Sequence, residues 1–580
     1  MTNAPEPTFP TEVIETDLLI IGGGTAGCLA AVEAREQDPR LRVLILEKAH
    51  IDRSGCLATG MNAINAYLNP GETPDTFTRF VRFDNMGLVR EDLVRSMAEL
   101  FEYGVRKVES WGLPILKRED GGYLPRGRWN IQINGESIKP IIARAALRAG
   151  ARALNWVVAT NLLRDGERVA GAMGFSVRTG KFYVVKAKAT IIATGGAAGL
   201  YRPHNVDDAQ HKTWYSPFNT GAGYAMGIRA GAEMTSFEMR YIALRTKDVI
   251  APTGTIALGA NAPQVNARGE KFMETRWESW GGDRAPTPVR SYAPIEEVKA
   301  GRGPVYLDTR ALDAAGVRKL KERFLDMYPD QVLYWIANDL DPSQTAVEVQ
   351  TTEPYIVGGH CQAGYWIDVQ RRTTLPSLYA AGDVAGGAPY KFISGCWAEG
   401  VIAARAAVAQ IGDGAAPAAD EAQVADERAR VYRPLQAVVD GHAVSPREME
   451  ARLQKTLEHY AGGATVSYEL NEERLAVAEA EVDRFPAQVP YLHATSLHDL
   501  MQAHSVIDRV DVAQALVRHL RHRRETRWPS YQTRVDYPAR DDARWLVFVN
   551  SRRDPATGQI HLLERPYEQL VDGDRYRPNG

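Results

Sequence analysis

Short apolar runs separated by glycine and proline set the first picture of this chain. Asp17 to Ile21 is a strand-length apolar segment that runs into Gly22-Gly23-Gly24-Thr25-Ala26-Gly27. An alanine-rich stretch with helical character follows to about Glu36. A second apolar strand, Leu41 to Leu46, ends in Glu47-Lys48. The order strand, glycine turn, helix, strand over about 30 residues predicts a βαβ unit. Two later runs predict strands that end in turns. One is Lys186 to Gly196, which contains Thr194-Gly195; the other is Leu378 to Asp383, which ends in Gly382-Asp383. Between them, Arg245 to Tyr355 is broken by Pro252, Pro263, Pro286, Pro288, Pro294 and Pro304 and reads as an inserted cap. Gly412 to Asp420 reads as a linker, rich in Gly, Ala, Pro and Asp. From Glu421 to about His522 the period is helical, as in Met449 to Tyr460 and Glu472 to Asp483, and an irregular tail is expected beyond.

The expected fold is therefore α/β, and α+β overall. A Rossmann-like nucleotide-binding domain is formed from residues 1–241 and 356–412. A cap domain occupies 242–355, and a C-terminal helical domain with its tail occupies 421–580.

Gly22, Gly24 and Gly27 match G-x-G-x-x-G between a strand and a helix, where the pattern has a mechanical meaning. The first glycine permits the tight turn, the second lets a pyrophosphate approach the backbone, and the third lets helix and strand pack closely. The helix N-terminus then faces the phosphates. Glu47 falls about 20 residues on, where a carboxylate binds ribose hydroxyls.

Composition narrows the class. The 580 residues are 44% hydrophobic and 24% charged, ordinary for a globular protein of several domains. A net charge of −3 supplies no general field for nucleic acid or an anionic membrane. No apolar run reaches the length of a membrane span, and Met1 to Asp17 reads as a polar tail without signal-peptide character. The four cysteines, Cys28, Cys56, Cys361 and Cys396, lie far apart without a C-x-x-C. No metal site or iron–sulfur cluster is expected in this chain, and a cytoplasmic location is.

The three landmarks at Gly22, Thr194-Gly195 and Gly382-Asp383 resemble two-dinucleotide-binding flavoproteins, in which an Asp after the last strand meets the ribityl or pyrophosphate part of FAD. The layout is similar to the succinate dehydrogenase/fumarate reductase flavoprotein superfamily. Local sequence most resembles its adenylylsulfate reductase alpha-subunit family. The matching segments include Arg53-Ser54-Gly55 through Ala63-Ile64-Asn65, Met86 to Asp92, Trp111 to Ile115, and Gly135-Glu136-Ser137. Further matches are Thr213-Trp214-Tyr215, Arg245 to Asp248, Gly303 to Tyr306, Thr352 to Tyr355, Arg524 to Pro529 and Asp536 to Pro538.

The resemblance implies a two-electron interconversion of adenosine 5′-phosphosulfate with AMP and sulfite, through a flavin N5–sulfite adduct. It also implies a ferredoxin-like beta subunit that carries the [4Fe–4S] clusters. FAD is expected to be non-covalent, because Gly55 follows Arg53-Ser54 where flavin-linking relatives have histidine. Expected cofactor contacts are Gly22, Gly24, Gly27, Glu47, Lys48, Ser54, Thr194, Gly195, Gly382, Asp383 and Ser394.

An anion carrying phosphate and sulfate calls for the planar, bidentate grip of arginine. Arg245 matches the family's active-site arginine and His360, in Val357-Gly358-Gly359-His360, its active-site histidine. The histidine is expected to hold sulfite or to donate a proton to departing AMP. Asn65, Glu136, Trp214 and Leu258 resemble substrate-lining positions, and Arg290 is a second arginine candidate.

Departures from the family pattern fall on the cap. Lys247 to Ile256 reads Lys-Asp-Val-Ile-Ala-Pro-Thr-Gly-Thr-Ile, and Arg290-Ser291-Tyr292 replaces Arg-Asn-His. These changes keep open the alternative of a divergent fumarate reductase/succinate dehydrogenase-type flavoprotein acting on another small anion. The basic stretch Arg518 to Arg527 reads as a solvated helix end or a docking surface for an acidic partner; it lacks the aromatic interleaving of a nucleic-acid site.

Overall fold

A computed structural model describes residues 9–203, 213–251, 262–412, 414, 417–437 and 442–573. Its main sheet has the strand order β5-β2-β1-β8-β7-β6. The strands are β1 (Thr11–Ile21), β2 (Val43–Glu47), β5 (Arg152–Asn155), β6 (Val157–Asp165), β7 (Arg168–Ser176) and β8 (Phe182–Ile192). The small β3 (Ala63–Asn65) and β4 (Asn130–Gln132) form a separate antiparallel pair. β1 is parallel to both β2 and β8, and β2 is parallel to β5. The helix Thr25–Gln37 crosses between β1 and β2, which is the expected βαβ unit.

β1 begins at Thr11, six residues before the expected Asp17. Its first half, Thr11 to Glu15, alternates exposed and half-buried positions and leaves Val13 exposed, yet it pairs in register from Thr11↔Phe182 to Ile21↔Ile192. Backbone pairing with β8 carries a segment whose few apolar side chains, Val13 and Ile14, are not buried.

β7 lies antiparallel to the first half of β8, at Phe182 to Lys186. The last strand of the unit, β15 (Leu378–Ala380), takes over at Thr190 to Ile192 as a parallel neighbour. The ends of β1, β8 and β15 thus converge on one rim, where an open α/β sheet places its ligand.

A second sheet, in the order β10-β13-β12-β11, lies within the Pro-rich span. It comprises β10 (Leu244–Thr246), β11 (Gln264–Asn266), β12 (Val305–Leu307) and β13 (Val347–Thr351), all antiparallel. The helices Thr287–Lys299, Ala314–Met327 and Asp330–Ala337 accompany it.

The C-terminal region is helical as its period predicts, with Glu421–Gln436, Pro446–Tyr460, Glu472–Val482 and the long Leu497–His522. Near its end, β16 (Glu469–Leu470) pairs with β17 (Thr533–Arg534). The expected irregular tail is instead a hairpin of β18 (Val547–Arg553) and β19 (Ile560–Pro566). β18 also pairs with β9 (Met234–Thr235), itself paired with β14 (Gly364–Tyr365), so the tail completes a four-stranded sheet with the nucleotide-binding region. β19 is mostly exposed and polar, which hid its strand character from the apolar pattern.

The reading of Arg518 to Arg527 as a solvated helix end or a docking surface is also corrected. His519, Arg523, Glu525 and Arg527 are fully buried. Arg523 pairs with Glu238 and Glu525, and Arg527 with Glu525, each at 2.7–2.8 Å. Arg518 and Arg521 pair with Asp483, Glu479 and Glu472. The run of like charge is an internal ion-pair network. Among the described residues, no helix is long and apolar enough to cross a membrane, and no group of three His, Cys, Asp or Glu is placed to hold a metal.

Candidate active site

The glycine turn has the shape its spacing predicts. Gly22 sits at φ +102°, and a Cβ there would lie 2.4 Å from the Ala193 carbonyl oxygen. A Cβ on Gly27 would lie 2.0 Å from the Gly22 oxygen, so helix and strand can touch only without a side chain. Around Gly24 the space is open, with nothing within 4 Å of a built Cβ. The helix that follows has no side-chain cap, which leaves its N-terminal N–H groups free for an anion.

The Glu47 carboxylate accepts the Gly23 N–H at 2.8 Å through one oxygen and the Ala49 N–H at 2.8 Å through the other. It therefore pins the turn. Lys139 reinforces the turn from below: its buried Nζ donates to the Gly23 carbonyl at 2.8 Å and to the Ile51 carbonyl. Lys48 donates to the Phe218 carbonyl, and burial pulls its ammonium down to about 8.

The other cofactor candidates line the same rim. Ser54 and Thr194 carry buried hydroxyl oxygens without a partner among the described residues. Gly195 follows Thr194 with a left-handed φ of +75°. Asp383 accepts from the Tyr215 hydroxyl at 2.8 Å, and burial raises its carboxyl pKa. The Gly382 N–H donates to Glu399 at 2.8 Å, and Glu399 is paired with Lys391 at 3.1 Å. Ser394 donates to the Asn65 carbonyl, tying the last glycine-containing loop to β3. Open glycine, free helix N-terminus and orphaned hydroxyls suit a dinucleotide such as FAD.

Above this rim, β10 delivers Arg245. Its guanidinium is only 8% exposed and sits 5.1 Å from the Trp214 ring centroid. It donates to the Leu244 carbonyl at 3.1 Å, while Nε has no partner. Burial lowers its pKa, partly opposed by nearby tyrosines including Tyr241 and Tyr355. No described carboxylate forms an ion pair with it.

His360 stands against the same aromatic wall. Its ring lies 4.7 Å from Trp214, 4.7 Å from Tyr241 and 4.5 Å from Phe392. Burial first, then the Arg245 charge, pushes its pKa down to about 3. It is therefore neutral at ordinary pH, and its Nδ1 has no partner. A neutral imidazole can hold an anion by hydrogen bonding, which is one of its two expected roles. The Tyr355 hydroxyl accepts the Trp214 backbone N–H at 3.0 Å and donates to Glu353, which fixes the main chain that carries the indole.

Arg290 and Asn65 join through Thr287, Asp84 and Tyr390. Arg290 donates to the Thr287 hydroxyl at 2.7 Å, and Thr287 donates its backbone N–H to Asp84 at 2.9 Å. Tyr390 donates to the same Asp84, while its backbone carbonyl accepts from Asn65 at 2.9 Å. The Arg290 charge also acts on Tyr241 and Tyr390. Glu136 lies elsewhere: it is exposed and lines a cleft of about 760 Å³ that neither Arg245 nor His360 lines. Leu258 lies outside the described residues.

Tyr241, Tyr390, Phe392, Tyr215 and Lys139 were missed in the sequence. Tyr241 precedes Arg245 by one turn-length of chain, and Tyr390 and Phe392 alternate before Ser394. Those spacings were the available signal; Lys139 offered none.

Residues 17–396 match the FAD binding domain family, and residues 450–571 match the fumarate reductase flavoprotein C-terminal family. The chain is 32% identical to the adenylylsulfate reductase subunit alpha of Megalodesulfovibrio gigas, over 96% of each protein. It superposes with a TM-score of 0.92 and 38% identity, over 98% of each chain, on the adenylylsulfate reductase of Archaeoglobus fulgidus. An adenosine-5-phosphosulfate reductase structure in covalent adduct with sulfite gives the same TM-score, identity and coverage. The fumarate reductase subunit of Escherichia coli, 19% identical with a TM-score of 0.81, shares the fold. With an FAD cradle at one rim and an unpaired arginine above it, the chain is an FAD-dependent oxidoreductase and belongs to the adenylylsulfate reductase alpha-subunit family.

Proposed function

We propose that this enzyme interconverts adenosine 5′-phosphosulfate with AMP and sulfite. The observation that carries the reading is the pairing of Arg245, buried without a carboxylate partner, with neutral His360 across the Trp214 ring. A buried guanidinium without a counter-ion is costly unless an anion completes it. Sulfate and sulfite present the oxygen geometry that a planar guanidinium grips. The likeness to the sulfite-bound reductase structure supports the same choice.

Bound FAD, held by Gly22, Gly24, Gly27, Glu47, Ser54, Thr194, Gly195, Gly382, Asp383 and Ser394 with Lys48 nearby, supplies a two-electron couple. The residues above it do the rest. Arg245 binds the sulfur oxyanion and balances charge as the sulfur–oxygen bond to phosphate breaks. AMP leaves with the bridging oxygen, and sulfite keeps the other three. His360 donates an N–H to the anion while remaining neutral, and a bound dianion pulls its pKa upward. Trp214, Tyr241, Tyr355 and Phe392 exclude water around the bond. Asn65 and Arg290, anchored through Tyr390 and Thr287, orient the substrate from the other side.

The 242–355 segment is read as the cap that carries Arg245 and Arg290. An iron–sulfur beta subunit of ferredoxin type is the proposed electron partner, and the cytoplasm the proposed location. The altered cap sequence Arg290-Ser291-Tyr292 favours, as a second reading, another small oxyanion at the same arginine. Purified enzyme with FAD bound, given AMP, sulfite and an artificial electron acceptor, is expected to turn over. Sulfite bleaching of the flavin without AMP-dependent turnover would favour the second reading.

A further inference from the structure

The turn after β15 is bracketed by a buried ion pair. Glu399, on the helix Ser394–Gln410, accepts the Gly382 N–H at 2.8 Å through Oε2. Lys391 donates to the carbonyl of the same glycine at 2.9 Å and to the Ala385 carbonyl at 2.6 Å. Its Nζ lies 3.1 Å from the same Glu399 oxygen, and both side chains are fully buried. Arg371, also fully buried, stands 3.6 Å from the other Glu399 oxygen and directs its donors to Ser96, Val369 and Leu93. Two cations thus face one carboxylate, whose oxygen on the Arg371 side has no hydrogen-bond partner among the described residues. Asp383 adjoins them; burial raises its carboxyl pKa, opposed by the Tyr215 hydrogen bond and the Lys391 charge.

Taking these charges out of water is costly, and a well-packed apolar pair would hold a turn as well. The loop around Lys391 is strained besides: Tyr390 has φ +65° and the β-branched Ile393 has φ +59°. Costs of this kind beside a cofactor turn point to function rather than to stability. Lys391 also reaches the substrate side. Its backbone N–H donates to the Gly359 carbonyl at 3.2 Å, next to His360, and the neighbouring Phe392 ring lies 4.5 Å from the His360 ring.

We propose that Lys391 is a positioning residue whose buried charge raises the reduction potential of bound FAD and its affinity for sulfite, while Glu399 damps that charge and holds the Gly382–Asp383 turn. Two electrons taken up by FAD bring negative charge onto it. Sulfite adds through its sulfur lone pair, forming one bond and breaking none, and also leaves its negative charge there. A fixed cation in a low-dielectric surround favours both charged products. Lys391 acts through the turn and not by touching substrate. The inference rests on FAD binding at that turn, and the identity of the anion at Arg245 does not decide it.

Reductive titration of the FAD-loaded enzyme against reference dyes, together with sulfite titration followed by flavin bleaching, tests it. K391M is expected to lower the flavin potential and to weaken sulfite about tenfold, the scale of one buried charge acting on another; for a two-electron couple that is about 30 mV. E399Q keeps an acceptor for the Gly382 N–H, removes the negative charge, and is expected to shift both quantities the opposite way. K391R keeps the charge and is expected to recover most of the wild-type potential. A merely structural role would move K391M and E399Q in the same direction. That outcome, or wild-type potentials in both variants, would overturn the proposal. Where K391M fails to hold FAD, E399Q decides: a raised potential upholds the role of charge, and an unchanged or lowered one ends it. If wild type adds no sulfite, the substrate reading falls, and the potentials still decide for Lys391.

Discussion

Lys139 places its buried ammonium 2.8 Å from the carbonyl oxygen of Gly23, at the centre of the glycine turn. The same nitrogen holds the Ile51 carbonyl, and Ile51 lies against Gly23 from the side. One side chain from the helix Ile138–Arg148 thereby fixes the turn relative to the segment that leads to Ser54. Truncation in K139M strands two buried carbonyls, at a cost of about 1–3 kcal/mol each. The expected outcome is FAD affinity about tenfold weaker or worse, with the flavin lost at lower temperature than in wild type. Fluorescence of released flavin during heating measures it. Wild-type retention in K139M would show that Glu47 alone sets the turn.

Arg245 faces Trp214 at 5.1 Å with its Nε free, so planarity and charge both matter at that position. Lysine keeps the charge and loses the flat, forked donor set. R245K is expected to cut turnover about 10²- to 10³-fold, the scale of one lost oxyanion donor, with the flavin spectrum and content unchanged. Activity within a few fold of wild type would remove Arg245 from the chemistry. W214F tests the neighbouring contact separately: it keeps an aromatic face, and a smaller loss than that of R245K is expected in steady-state kinetics.

The buried network at the C-terminal end makes a stability prediction of the opposite kind. Arg523 is held by Glu238 and Glu525, all fully buried, and it also donates to the Trp545 carbonyl at 2.9 Å. R523M leaves two carboxylates short of a partner, and breaking a buried pair from one side costs about 3–5 kcal/mol. Thermal unfolding is expected several degrees lower, with the sulfite response of surviving enzyme intact. An unshifted transition would mean that water or local rearrangement rescues Glu238 and Glu525. Because Arg523 and Arg527 are enclosed, the salt dependence of electron transfer to a partner is expected to be set by other residues.

The legible parts of the fold and those that were not divide along physical lines. Gly22, Gly24, Gly27 and Glu47 could be read because the turn needs those residue types at that spacing, between apolar strands. The β15 strand and Asp383 were visible for the same reason. β19 was not, because a strand with little burial carries no apolar alternation. The basic run Arg518 to Arg527 misled because charge in sequence does not reveal its partners: Glu238 lies far away along the chain. At the site, Arg245, His360 and Trp214 do meet. Glu136 belongs to another cleft, and its local motif held no information about which wall would face it. Tyr241, Tyr390 and Lys139 act through tertiary contacts that no short motif encodes.

Two buried histidines give the acid response a definite sign. His360 and His504 are both pushed down to about 3 by burial, the first further by Arg245 and the second by Arg430. An unfolded histidine protonates near 6.5, so below that pH the unfolded chain binds protons that the folded chain refuses. Stability is therefore lost as pH falls from about 6.5 toward 3, by up to about 1.4 kcal/mol per pH unit for each group. Asp326, raised to about 6, acts the other way as it takes up a proton on folding. The carboxylates of Asp17, Glu297 and Glu427, held at about 2 against burial by their arginine, lysine and hydrogen-bonding partners, contribute stability that disappears only below about 4. H504Q isolates one histidine, since a glutamine amide can replace the 2.9 Å contact between His504 Nε2 and the Val431 carbonyl. Urea unfolding at pH 6.5, 5.5 and 4.5 is expected to show a shallower loss in H504Q than in wild type, by roughly one proton's worth of slope. Parallel curves for the two proteins would mean that His504 titrates normally in the folded state and is less enclosed than its burial against Phe175 and Val431 implies.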